Sequence, residues 1–113
     1  MAYKEQIKKY DVSYKAGGKT ASGYKYRAII GLRRDDGSLL GAAYFHRSPD
    51  TMPDTDHQSS GGYVYCHYRW EDFPQVLDLL RNEKPVYLRF VAGGWHLASI
   101  TTSLEPIGEG EEP

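Results

Sequence analysis

Apolar and polar residues alternate along several runs of this chain, and a period of two marks those runs as half-buried β-strands. In residues 24–34, Tyr24, Tyr26, Ala28, Ile30 and Leu32 share one phase, while Lys25, Arg27 and Arg33 occupy the other. Residues 63–70 divide likewise, with Val64, Cys66, Tyr68 and Trp70 against Tyr63, Tyr65, His67 and Arg69. Tyr87 and Arg89 alternate with Val86, Leu88 and Phe90. Successive side chains point to opposite faces of a sheet, so each run offers one oily face for burial and one face of Tyr, Arg, Lys and His for contact with something else.

Turn signals divide the rest. Asp36-Gly37 between residues 24–34 and 39–47 is the signature of a tight hairpin. Tyr10, Val12 and Tyr14 alternate with polar neighbours in an earlier strand over 10–15, and the Gly-rich residues 16–23 form a flexible turn after it. Residues 1–9 fit either a helical turn or a frayed arm. Residues 48–62, with Pro49, Pro53, Gly61 and Gly62, show no apolar period and read as a long loop of the kind that is functional or disordered.

The run after residue 70 changes period. Phe73, Val76, Leu77 and Leu80 lie on one helical stripe, Asp72 is placed to cap it, Pro74 suits its first turn, and Pro85 stops it. Two further strands follow, over 86–91 and 95–104, joined by Ala92-Gly93-Gly94. The expected fold is therefore α+β. About six mostly antiparallel strands form a strongly twisted sheet or a small barrel, and one helix (about 72–82) is inserted between strands four and five.

A length of 113 residues suits a single domain. Residues 1–104 are assigned to it, and residues 105–113, with four glutamates and no base, read as an acidic tail of disordered composition. A formal net charge of -1 gives no whole-molecule attraction for nucleic acid or an anionic membrane, although Lys and Arg dominate residues 4–34. The single cysteine, Cys66, rules out an internal disulfide and fits a reducing, cytoplasmic setting. There is no apolar core of a secretory signal near Met1 and no run long enough to span a bilayer.

Catalytic and metal signatures are weak. Gly18-Lys19-Thr20 resembles the end of a phosphate loop, but Ser13 stands where that motif needs glycine, and a strand follows where it needs a helix. Asp50, Asp54, Asp56 and His57 lack the glycine and distal glutamate of a calcium loop. His46, His57, His67 and His96 lie on different elements, so only folding decides whether three of them meet, and none has the close partner of a zinc site. Cys66 is in phase with Val64 and Tyr68 and reads as a buried, inert thiol, while Glu71 and Asp72 read as helix-start carboxylates. The expectation is a non-enzymatic domain with no cofactor and no metal.

What remains is the aromatic and basic face, assigned to Lys25, Arg27, Tyr63, Tyr65, Arg69, Tyr87 and Arg89. Tyr and Arg dominate protein interfaces, so a protein partner or a homodimer is the first reading. The alternative is single-stranded DNA or RNA, whose bases stack on rings while cations hold the phosphates. A purely structural set of cross-strand ring pairs would use the same residue types.

Overall fold

The alternation seen in the sequence becomes burial. Ala28, Ile30 and Leu32 are wholly buried, as are Ala43 and Phe45 of the neighbouring strand and Val64 of the next. The computed structural model of the chain describes residues 2–18 and 23–104. Within them are strands β1 (Ala2–Ile7), β2 (Lys9–Tyr14), β3 (Tyr26–Arg33), β4 (Leu39–His46), β5 (His57–Gln58), β6 (Val64–Arg69), β7 (Val86–Val91) and β8 (Leu97–Thr102), with one helix, α1 (Phe73–Asn82), between β6 and β7. Residues 105–113 and the 19–22 stretch of the Gly-rich turn lie outside the described residues.

The strands form two sheets, in the orders β1-β7-β8 and β2-β3-β4-β6-β5. The chain changes sheet at a single residue, Lys8, whose N–H donates to the Arg33 carbonyl. Glu5 of β1 pairs with Arg34 after β3, which ties the two sheets together beside this corner. Their inner faces share one core: Val86, Leu88, Phe90 and Ile100 from the smaller sheet meet Ile30, Leu32, Phe45 and Cys66 from the larger, with Phe73 and Val76 of α1. Phe45 stacks on Tyr68 at 5.2 Å between centroids and meets Phe73 edge-on at 5.1 Å. Each such fully buried large side chain contributes about 1.5–3 kcal/mol.

Several expectations need correction. The described residues hold eight strands where six were expected, so the helix follows the sixth strand and not the fourth. Residues 1–9 hid β1 because Glu5 falls in phase with Tyr3 and Ile7 and breaks the alternation; β1 nevertheless pairs antiparallel with β7 along its whole length. The long loop conceals the two-residue β5, too short for any period to show, and a 3₁₀ turn at Pro49–Thr51. The sheets are not closed into a barrel, and β4 and β6 pair in parallel, with residues 47–63 forming the crossover that a parallel pair requires.

Local details follow the chemistry. Gly37 takes a positive φ of 88° in the hairpin turn, and its N–H donates to Arg34. Gly41 lies opposite Val64 so closely that a Cβ there would strike the Val64 carbonyl, which is why a residue without a side chain stands at this parallel pairing. Asp72 makes no side-chain cap, because a 3₁₀ turn over Trp70–Asp72 already gives it helical backbone angles.

Candidate functional site

A β-bulge decides which rings share the outer face of the five-stranded sheet. Tyr26 pairs with His46 and Ala28 with Phe45, so Arg27 is the extra residue between them. The bulge inverts the phase beyond it. Tyr26, which belongs to the apolar phase by count, packs on Tyr44 at 4.8 Å and on His46 at 4.9 Å. Arg27 instead lays its guanidinium over Tyr14 and Trp70, 5.4 and 5.2 Å from the ring centroids, and donates to the Lys15 carbonyl at 3.0 Å.

The parallel register of β4 and β6 puts Tyr44 beside His67, and the antiparallel register of β5 and β6 puts His57 beside Tyr65. His67 is therefore held between two nearly parallel rings, Tyr44 at 5.6 Å and His57 at 5.7 Å. Tyr65 lies 6.0 Å from Tyr44 and 4.8 Å from His57, and Tyr24 extends the row at 5.6 Å from Tyr26. A contiguous band of tyrosines and histidines thus crosses β3, β4, β6 and β5. Tyr26, Tyr44 and Tyr65 are half-buried in it, whereas Tyr24 and His57 are exposed. Burial, followed by the neighbouring Tyr65 and Tyr26 hydroxyls, raises the Tyr44 phenol above its usual pKa.

Hydrogen-bond polarity fixes the tautomers of the deeper histidines. The Thr51 hydroxyl gives its proton to the Ser48 carbonyl at 3.0 Å, since a carbonyl can only accept. Thr51 Oγ1 therefore accepts from His46 Nδ1, 3.0 Å away, and His46 carries its proton there. His46 Nε2 then accepts from His67 Nδ1, also at 3.0 Å. His67 Nε2 is left unprotonated and buried, with no hydrogen-bond partner among the described residues. Burial, then the nearby Lys25, depresses His46; burial, then His46, depresses His67 against an opposing pull from Asp56. Both imidazoles are neutral at pH 7.

Asp56 locks this assembly to the rest of the fold. Its carboxylate accepts the His67 backbone N–H at 2.8 Å and the Ala98 N–H at 2.9 Å, and its own N–H donates to His96 at 3.1 Å. Beside it, residues 52–56, His67 and residues 95–97 line a small cleft of about 150 Å³, with Trp95 exposed at its edge. Although His46, His57 and His67 converge, no group of three His, Cys, Asp or Glu side chains among the described residues is arranged to hold a metal ion. Cys66 is buried, and burial pushes its thiol far above the usual range.

The seven residues singled out from sequence do not form one patch. Tyr65 is in the middle of the aromatic band, Arg69 ends the same strand in register with His46, and Lys25 enters β3 close enough to depress His46. Tyr63 is exposed in the turn before β6, where its N–H bonds Ser59 Oγ. Arg27 occupies the bulge. Tyr87 and Arg89 lie on β7, in the other sheet, opposite Gln6 and Lys4, and Lys4 Nζ sits 4.6 Å over the Tyr87 ring. Tyr26, Tyr44, His46 and His57 are not assigned to this face by the sequence reading, which places Tyr26 in the apolar phase and weighs the two histidines only as metal ligands, yet they supply much of the band. For Tyr44 and His46 the signal is present, since they alternate with Ala43 and Phe45; for Tyr26 and His57 it is not, because a bulge and a two-residue strand leave no period.

The chain matches no protein-family model, no curated protein and no solved structure. Among the described residues no helix is long and apolar enough to cross a membrane.

Proposed function

We propose that the protein is a non-catalytic binding domain that docks another protein chain, in the simplest case a second copy of itself, on the tyrosine and histidine face of its five-stranded sheet. The observation that carries this reading is the contiguous half-buried band of Tyr26, Tyr44 and Tyr65 edged by His57. Tyrosine offers large, rigid contact area at low entropic cost, which is why it anchors protein interfaces. Packing on neighbours pre-orders these rings before any partner arrives.

Single-stranded nucleic acid is the second reading, supported by Lys25 and Arg69 beside the band. It is the weaker one. Arg27 is drawn away onto Tyr14 and Trp70, Arg89 belongs to the other sheet, and net charge is -1. Few cations therefore remain near the rings to hold phosphates, and phosphate contacts dominate nucleic-acid affinity.

Sedimentation over a wide concentration range tests the first reading. A dimer that Tyr65→Glu dissociates supports it, and a monomer at every concentration removes self-association. Titration with a single-stranded oligonucleotide at low and moderate salt tests the second: salt-sensitive binding that Tyr65→Glu abolishes would promote it over the first.

A further inference from the structure

At the corner where β1 turns into β2, the chain faces the end of α1 across a cleft of about 390 Å³. We propose that this cleft binds a small, multiply anionic ligand of the phosphate or pyrophosphate-ester class. Its walls bring Lys8 and Lys9 from the corner together with Arg81 and Lys84 from the end of the helix and the segment after it. Among the described residues of the lining, Glu83 is the only carboxylate beside four cations, in a molecule whose net charge is -1.

All four cations are exposed, and none forms an ion pair with a described residue; Arg33 and Arg34, by contrast, are paired with Asp11 and Glu5. Arg81 and Lys84 have one ordinary task, offsetting the partial negative charge at the helix C-terminus. Lys8 and Lys9 have no such task, since Lys8 is the corner residue and Lys9 opens β2, and both reach this place only because the chain changes sheet there. Like charges brought together from distant parts of a sequence repel unless an anion joins them.

Size and lining agree with a small molecule. Ligand clefts run from about 300 to 1,000 Å³, and a few charged donors on an apolar wall are their usual equipment. Here Ile7, Tyr10 and Pro85 supply the apolar wall, and the lysine and arginine heads supply charge-assisted donors. A nucleic-acid strand would need a track of cations continuing past the cleft, whereas these four line a single cleft. None of the described lining residues belongs to the tyrosine and histidine face, so this site stands or falls separately from that one.

The full chain, titrated with pyrophosphate at constant ionic strength and followed by backbone amide shifts, tests the assignment. The expected result is saturable change confined to residues 6–10 and 80–86, with affinity about tenfold weaker in the Lys8→Gln, Lys84→Gln double variant through loss of two charge-assisted contacts. A Lys25→Gln, Arg69→Gln variant, altered on the other face, should bind as the native chain does. All four positions are exposed, and an unchanged amide spectrum establishes that each variant is folded. Non-saturating shifts at lysines throughout the molecule, an equal response to sodium chloride, or unchanged affinity in the first variant would overturn the proposal. An oligonucleotide that occupies the cleft while pyrophosphate does not would overturn it as well.

Discussion

Replacing His46 with phenylalanine tests the hydrogen-bonded chain beneath the aromatic band. The side chain is 2% exposed, so a ring of similar size keeps the packing while deleting the bonds to Thr51 and His67. Two lost hydrogen bonds at about 1 kcal/mol each, plus part of the penalty for a buried His67 Nδ1–H left without an acceptor, give a destabilisation of about 2–3 kcal/mol at pH 7.5. The pH dependence is the sharper readout. Both histidines have folded pKa values depressed below 6.5, chiefly by burial, so their stabilisation is fully present above that pH and is lost as pH falls from 6.5 through the folded values. Each contributes a slope of at most about 1.4 kcal/mol per pH unit, reduced for the more solvent-accessible His67. Urea unfolding of native and His46→Phe chains between pH 7.5 and 5 should show a shallower acid loss in the variant, since one titrating group is gone. Equal slopes, or a stability within about 0.5 kcal/mol of native at pH 7.5, would refute the tautomer chain and the neutral pair it implies.

Three further outcomes follow from single features. Gly41→Ala forces a Cβ into the Val64 carbonyl at the β4/β6 pairing and should cost about 2 kcal/mol or more, read by thermal or urea denaturation; a neutral effect would refute the close approach of the two strands. Asp56→Ala removes the acceptor of two backbone N–H groups and should cost about 3 kcal/mol, with hydrogen exchange accelerated at His67 and Ala98 together; acceleration at neither would disprove the carboxylate bridge. Arg27→Ala should cost about 1 kcal/mol, by loss of stacking on Tyr14 and Trp70, and alter Trp emission; unchanged emission would place the guanidinium elsewhere.

The inner face of the sheets was legible in the residues wherever the period was clean. Ala28, Ile30 and Leu32 on β3, Val64 and Cys66 on β6, and Val86, Leu88 and Phe90 on β7 are buried as their alternation requires. So are Phe73 and Val76 on the helix, and Asp36-Gly37 makes the hairpin it announces. Burial of one face is a local consequence of a period of two or of 3.6, and it needs no knowledge of strand order.

The outer face depended on facts that have no period. One extra residue at Arg27 exchanged the sides of Tyr26 and Arg27, because a bulge shifts every residue beyond it by one place in the pleat. The parallel pairing of β4 with β6 and the short β5 brought three histidines from separate elements together. The split into two sheets carried Tyr87 and Arg89 away from Tyr65, and the turn at Lys8 set two lysines against the end of the helix. Where the period runs unbroken, as in the centre of β3, in β6 and in β7, the sequence by itself determined which residues would be hidden from water, since that follows from spacing along one strand. Which exposed residues would meet was decided only by the tertiary structure, because such meetings depend on register and strand order between segments far apart in the chain.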